Sequence, residues 1–221
     1  METQKRYQIK IYGIVQGIGF RPFVSRTAAR FHIAGDVCNK GSYVEIHAEG
    51  PESDLQRFTE SLRKDAPERS EIIRLEQREE TCAGDAVFRI IASEHEQGDI
   101  YVSPDIAICP QCAKELFDPA DRRYLHPFIN CTDCGPRLTI LDSMPYDRER
   151  TSMGEFPMCS ACHDEYTHAS TRRFHAQPVC CPECGPHLYI PGRSEEREEA
   201  ILYVREVIRR GGIAAVKGIG G

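Results

Sequence analysis

An α+β fold is predicted, with a split β-α-β-β-α-β domain in front, a duplicated four-cysteine module behind it and a short α/β segment at the end. Three observations predict it. Over roughly residues 5–93, apolar alternation gives way twice to helical spacing. Four Cys-x2-Cys pairs then follow at regular intervals. Around them prolines and charges crowd the chain, and apolar periodicity is poor.

Tyr7, Ile9 and Ile11 alternate with polar residues, the period-2 mark of a half-buried strand. A glycine-rich turn through Gly13, Gly17 and Gly19 follows. Phe20, Phe23, Val24, Thr27, Ala28 and Phe31 then recur at helical spacing, with Pro22 in a first turn, where proline is tolerated. Val37, and then Val44, Ile46 and Ala48, mark two strands joined by a turn at Asn39-Lys40-Gly41-Ser42. Leu55, Phe58 and Leu62 mark a second amphipathic helix, with acidic Glu52 and Asp54 near its start. Ile73 and Leu75, then Phe88 and Ile90, supply further strands. This order reads as a ferredoxin-like domain over 5–93. A polar linker over 93–103 separates it from the rest.

Residues 105–190 are unlikely to fold on an apolar core, and metal is the natural substitute. The pairs are Cys109/Cys112, Cys131/Cys134, Cys159/Cys162 and Cys181/Cys184, and each half reads C-x2-C-x18-C-x2-C. The halves are offset by 50 residues, which also superposes Arg122-Arg123 on Arg172-Arg173 and Cys134-Gly-Pro on Cys184-Gly-Pro. Four thiolates make a closed tetrahedral site, so two structural Zn2+ ions are expected. Sequential sharing (109/112/131/134 and 159/162/181/184) follows the repeat, and an interleaved arrangement is also open. Gly135 and Gly185 are expected to let turns aim backbone N–H groups at sulfur. Cys38, Cys82 and Cys180 read as ordinary thiols, and His163, His175 and His187 are not needed as ligands.

Residues 13–21, Gly-Ile-Val-Gln-Gly-Ile-Gly-Phe-Arg, lie between a strand and a helix. Glycines let successive N–H groups converge, and a helix start favours an anion. Arg21 adds a guanidinium fork suited to phosphate. The loop is neither a Walker A motif nor a dinucleotide fingerprint, because Gly19 is followed by Phe20-Arg21.

This loop resembles the acylphosphatase signature. In that family an arginine and an asparagine do the chemistry on a ferredoxin-like fold. Arg21 matches the arginine, and Asn39, in Gly-Asp-Val-Cys-Asn-Lys-Gly, matches the asparagine. The resemblance implies phosphate binding by Val15, Gln16, Gly17, Ile18, Gly19, Phe20 and Arg21. It implies catalysis by Arg21 and Asn39, with Asn39 orienting the attacking water. An acylphosphatase loop followed by the duplicated cysteine module is similar to the HypF-type carbamoyltransferases of hydrogenase maturation. That resemblance implies carbamoyl phosphate as substrate and HypE as partner. It implies ATP use only by the full-length protein.

From Glu195 to Arg210 a helical pattern returns, with Ile201, Val204 and Ile208 on one face and Gly211-Gly212 to end it. Ile213–Val216 then reads as a strand. Residues 195–221 resemble the opening of a YrdC-like nucleotide-binding domain, cut short.

With 28 basic and 34 acidic residues the net charge is -6, which gives no electrostatic reason to expect nucleic acid. No signal peptide or membrane-spanning run is visible, so a reducing, cytoplasmic setting is expected, and clustered cysteines there favour metal over disulfides. Two other readings stay open. One is a general acylphosphatase with a zinc appendage. The other is a zinc-dependent binding or chaperone module, which Arg122, Arg123, Arg172 and Arg173 could serve as a basic stripe.

Overall fold

The computed structural model describes residues 3–94 and 103–218. The linker expected over 93–103 and the segment read over 195–221 lie partly outside them. Two compact units form: Met1–Ser103 with Leu141–Thr151, and Pro104–Ile140 with Ser152–Gly221.

In the first unit the order is β1 (Gln4–Ile14), α1 (Phe20–Arg30), β2 (Ala34–Lys40), β3 (Tyr43–Pro51), α2 (Glu52–Lys64), β4 (Glu71–Glu80) and β5 (Phe88–Ile90). The sheet order is β4-β1-β3-β2-β5. β3 lies antiparallel to both β1 and β2, so the latter two run parallel, as a split β-α-β unit requires. Ile9 faces Ile46, Ile11 faces Val44, and Val37 faces Ile46. Residues two apart share a face, so this register gathers the aliphatic side chains on one side. There Val24 and Ala28 of α1 and Leu55, Phe58 and Leu62 of α2 are fully buried. The ferredoxin-like expectation holds.

The other face is polar and largely paired, although the buried Asp36 Oδ1 has no hydrogen-bond partner among the described residues. Arg6 pairs with Glu49 at 3.1 Å and with Asp85, and Gln8 donates to Glu45 at 2.8 Å. The turn after β2 is shorter than expected. Asn39 and Lys40 pair with Val44 and Tyr43, which leaves only Gly41-Ser42 to reverse the chain.

The second unit repeats itself in its backbone. α3 (Pro110–Phe117) and α4 (Ser160–Thr167) each follow the first cysteine of a half. Leu125 and His175 both take left-handed φ, 51° and 53°. Their N–H groups bond Leu116 and Tyr166 carbonyls, each at 2.9 Å. Apolar burial is slight, centred on Ile140, Met153 and Cys180. α5 (Arg197–Arg209) groups with this unit and buries Ala200. It ends where Gly212 N–H bonds the Val207 carbonyl at 2.9 Å. The strand expected at Ile213–Val216 does not form: these residues lack regular structure, and Ile213 is 97% exposed. A strand needs a neighbour to take its hydrogen bonds, and the described residues offer none there. No described helix is long and apolar enough to cross a membrane.

Candidate active site and metal centres

Because β1 and β2 run parallel, the loop after β1 and the end of β2 lie at the same edge of the sheet. Gly19 caps α1 with φ 75° and ψ 18°, a left-handed conformation that a side chain disfavours. The first intrahelical bond runs from Phe23 N–H to the Gly19 carbonyl, 3.0 Å. The Phe20 and Arg21 amides precede it and have no intrahelical acceptor, which gives this end its pull on anions. One loop residue departs from its expected role. The Val15 amide bonds the Gly13 carbonyl at 3.0 Å and is not available to an anion. The Gln16 side chain braces the loop. It donates to the Gly41 carbonyl at 3.0 Å, and its oxygen accepts the Tyr146 N–H at 3.4 Å.

Arg21 is 9% exposed. Its Nη1 donates to Ser93 Oγ at 3.0 Å. Its Nη2 donates to the Tyr146 carbonyl at 3.3 Å and to Asp147 Oδ1 at 2.7 Å. Asn39 is 1% exposed, and its Oδ1 has no hydrogen-bond partner among the described residues. A buried acceptor left alone costs about 1–3 kcal/mol, so its persistence marks a place for a bound donor. Neighbouring Cys38 is pushed up to about 11 by burial and stays a neutral thiol at pH 7. The structure thus brings Arg21, the loop and Asn39 to one edge, and adds Ser93, Tyr146 and Asp147. Sequence reasoning had no signal for those three. Asp147 stands in an Asp-Arg-Glu-Arg run that reads as a solvated charge cluster.

The cysteines gather as Cys109/Cys112/Cys131/Cys134 and Cys159/Cys162/Cys181/Cys184, the sulfurs of each set lying within 4.8 Å of one another. The arrangement is therefore sequential. Sγ separations are 3.7 Å for Cys109–Cys131, 3.8 Å for Cys131–Cys134, 3.8 Å for Cys159–Cys181 and 3.7 Å for Cys181–Cys184. A tetrahedron with arms of ~2.3 Å, the zinc–sulfur length, has edges of about 3.8 Å. The residues fit zinc. His163, His175 and His187 join neither set. Cys180 stands apart, 3.3 Å from His126 Nε2. Burial pushes His126 down to about 4, so it is neutral at pH 7.

The turns at Gly135 and Gly185 are expected from the sequence to aim backbone N–H groups at sulfur; the first does so through Asp133, but the glycines' own amides point elsewhere. These amides bond the Ile106 and Cys181 carbonyls at 2.8 and 2.9 Å. Sulfur is served instead by Cys112 N–H (to Cys109, 3.5 Å) and Asp133 N–H (to Cys131, 3.4 Å). The glycines are needed for space. A Cβ would come within 2.6 Å of Asn130 Cβ at Gly135, and of Cys180 Cβ at Gly185.

The repeated arginines serve the opposite half. Arg122 Nη2 lies 3.4 Å from both Cys159 and Cys162 sulfurs. Arg172 Nη1 lies 3.7 Å from Cys112 and 3.9 Å from Cys109. Arg123 Nε donates to the Cys180 carbonyl at 2.8 Å, and Arg173 Nε to that of Asn130, its counterpart in the repeat, at 3.0 Å. Glu165 accepts from Arg122 at 3.2 Å, and Glu115 from Arg172 at 2.6 Å. These arginines are engaged inside the module rather than arrayed as a basic stripe. Four thiolates on a dication keep a net negative charge, which a guanidinium at the sulfurs offsets. Arg172→Ala is therefore expected to speed metal loss from the first cluster by roughly tenfold, the worth of one charged hydrogen bond. Arg122→Ala should do the same at the second. Cadmium NMR of the substituted protein under chelator challenge resolves the two sites. Loss from the cluster in the arginine's own half would contradict the exchange.

Comparison with known proteins gives a consistent picture. Residues 7–90 match the acylphosphatase family model, and residues 108–141 and 158–190 each match the HypF finger model. The carbamoyltransferase HypF2 of Cupriavidus necator is 48% identical over 224 residues, 98% of this chain and 28% of that protein. A probable carbamoyltransferase HypF of Methanocaldococcus jannaschii is 48% identical over 99% of this chain and 29% of that protein. The crystal structure of full-length HypF in the phosphate- and nucleotide-bound form superposes with a TM-score of 0.92 at 43% identity, covering 100% of this chain and 29% of that one. That of T. kodakarensis HypF gives 0.86 at 46% identity, covering 98% and 28%. The chain thus spans less than a third of the length of the relatives it matches.

Proposed function

As the chain belongs to the HypF carbamoyltransferase family, we propose that its first unit hydrolyses carbamoyl phosphate to carbamate and phosphate. The observation that carries this reading is the buried Asn39 Oδ1, unpartnered among the described residues, at the same sheet edge as Arg21 and the glycine loop. The acceptor suits a water molecule, and the loop and guanidinium suit a phosphoryl group.

Acyl phosphates are already activated, so positioning and charge stabilisation suffice. The Arg21 guanidinium and the amides at the start of α1 hold the phosphoryl oxygens. Asn39 Oδ1 accepts a hydrogen bond from the attacking water. Water adds to phosphorus and the bond to the carbamoyl oxygen breaks. Carbamate leaves with that electron pair, and the water's protons stay with phosphate. The eight clustered cysteines would hold two zinc ions, whose part is to fix the fold of the second unit. For the whole protein, we propose that carbamate goes on to ATP-dependent carbamoyl transfer to the C-terminal cysteine of a HypE-type partner.

The test is phosphate release from carbamoyl phosphate by this chain beside Asn39→Ala. Turnover that falls by roughly a hundredfold in the variant, with zinc content unchanged, supports the assignment. A fully folded parent that releases no phosphate from any acyl phosphate would overturn it.

A further inference from the structure

The segment Leu141–Thr151, between the two fingers in sequence, belongs with the first unit. It is a closed loop: Leu141 bridges Thr151, and Asp142 N–H bonds the Arg150 carbonyl at 3.0 Å. Its tip is fastened to the phosphate loop by the Tyr146 N–H to Gln16 bond. Tyr146 is 3% and Asp147 8% exposed. The Asp147 carboxylate is thereby held against Arg21, at 2.7 Å from Nη2.

A carboxylate is a costly neighbour for a phosphate site, because two anions then share one guanidinium. Beyond a brace for Arg21, a site that needed only the phosphoryl group would gain nothing from it. The acyl groups differ in what they offer such a neighbour. Acetyl phosphate presents a methyl group, whereas carbamoyl phosphate presents an amino group with two N–H donors. An ionised carboxylate and a peptide carbonyl only accept hydrogen bonds. Both acceptors, Asp147 Oδ1 and the Tyr146 carbonyl, sit on the same Arg21 nitrogen. An acyl phosphate held on the remaining N–H donors of Arg21 can reach them with its acyl substituent.

We propose that Asp147, with the Tyr146 carbonyl, is the acceptor for the substrate's amino group and determines the selectivity for carbamoyl over methyl-bearing acyl phosphates. This rests on the reading that the first unit hydrolyses acyl phosphates. Sites built to hydrogen-bond a polar group reject analogues lacking it: a methyl group desolvates the Asp147 carboxylate without supplying the hydrogen bond an amino group adds to the one from Arg21.

The test compares kcat/KM for carbamoyl and acetyl phosphate in the parent chain, Asp147→Ala and Asp147→Asn. The parent should prefer carbamoyl phosphate, and Asp147→Ala should lower that preference by about tenfold or more, the loss of one charged hydrogen bond. In Asp147→Asn the amide oxygen can still serve Arg21, but its NH2 then faces the substrate's donor. The preference should therefore fall there too, with the fold retained. Equal losses on both substrates would overturn the proposal and leave Asp147 as a brace for Arg21. An unchanged preference in the folded Asn variant would overturn it as well. A parent that turns over neither substrate is a different result: it removes the acyl-phosphate reading itself and this proposal with it.

Discussion

Arg21→Ala is expected to lose acyl-phosphate turnover by at least roughly a thousandfold, through kcat rather than KM alone. The charge that builds on the phosphoryl oxygens in the transition state needs a fixed cation, and removing even one such donor typically costs about a hundred- to a thousandfold. The variant also has a structural cost. Asp147 loses its cation, and both side chains are nearly buried, at 10% and 11% exposure. Breaking such a pair costs about 3–5 kcal/mol when fully buried, so residual water access places this one at the lower end. Arg21→Lys separates the two effects. A lysine can still neutralise Asp147, but a point charge cannot serve Ser93, Tyr146, Asp147 and a phosphoryl group together. The expected outcome is a stable Lys variant with turnover still severely reduced. Single-turnover phosphate release beside a urea melt reads both quantities. A Lys or Ala variant within tenfold of the parent would remove Arg21 from the chemistry.

Stripping metal from the second unit is expected to unfold it. Its apolar cluster is small, centred on Ile140, Met153 and Cys180, whereas structural zinc supplies about 10–16 kcal/mol of apparent binding free energy. That exceeds what so slight a core can replace. Chelation should also expose Arg123 and Arg173, only 1% and 5% exposed in the fold, once the sulfurs and glutamates they bind disperse. Amide hydrogen exchange checks this. Protection in α3 and α4 should vanish with chelator, while β1 and β3, above an aliphatic core of their own, should keep theirs. Helices that stay protected without metal would show that the module does not fold on zinc.

Much of this molecule could be read in advance because the deciding interactions are local in sequence or periodic. Alternation in Tyr7, Ile9 and Ile11 and the helical spacing from Phe20 fix the first elements. Cys-x2-Cys spacing brings two sulfurs within reach of one ion, and the offset of 50 residues repeats the whole four-cysteine set. The strand reading that failed depended on a partner elsewhere in the fold. Ile213–Val216 carries a strand's composition, but the hydrogen bonds of a strand belong to its neighbour.

The sequence by itself determined the ferredoxin-like order, the eight cysteine positions, the glycine loop between strand and helix, and the family. Each rests on residue types at short fixed spacings, which backbone geometry converts directly into structure. Only the tertiary structure decided that each finger's arginines serve the other finger's sulfurs, across separations such as Arg172 to Cys112. Only it placed Asp147 on Arg21, with more than a hundred residues of chain between them. No periodicity links such positions. Their meeting is fixed by burial, because a guanidinium and a carboxylate that leave water together must find each other.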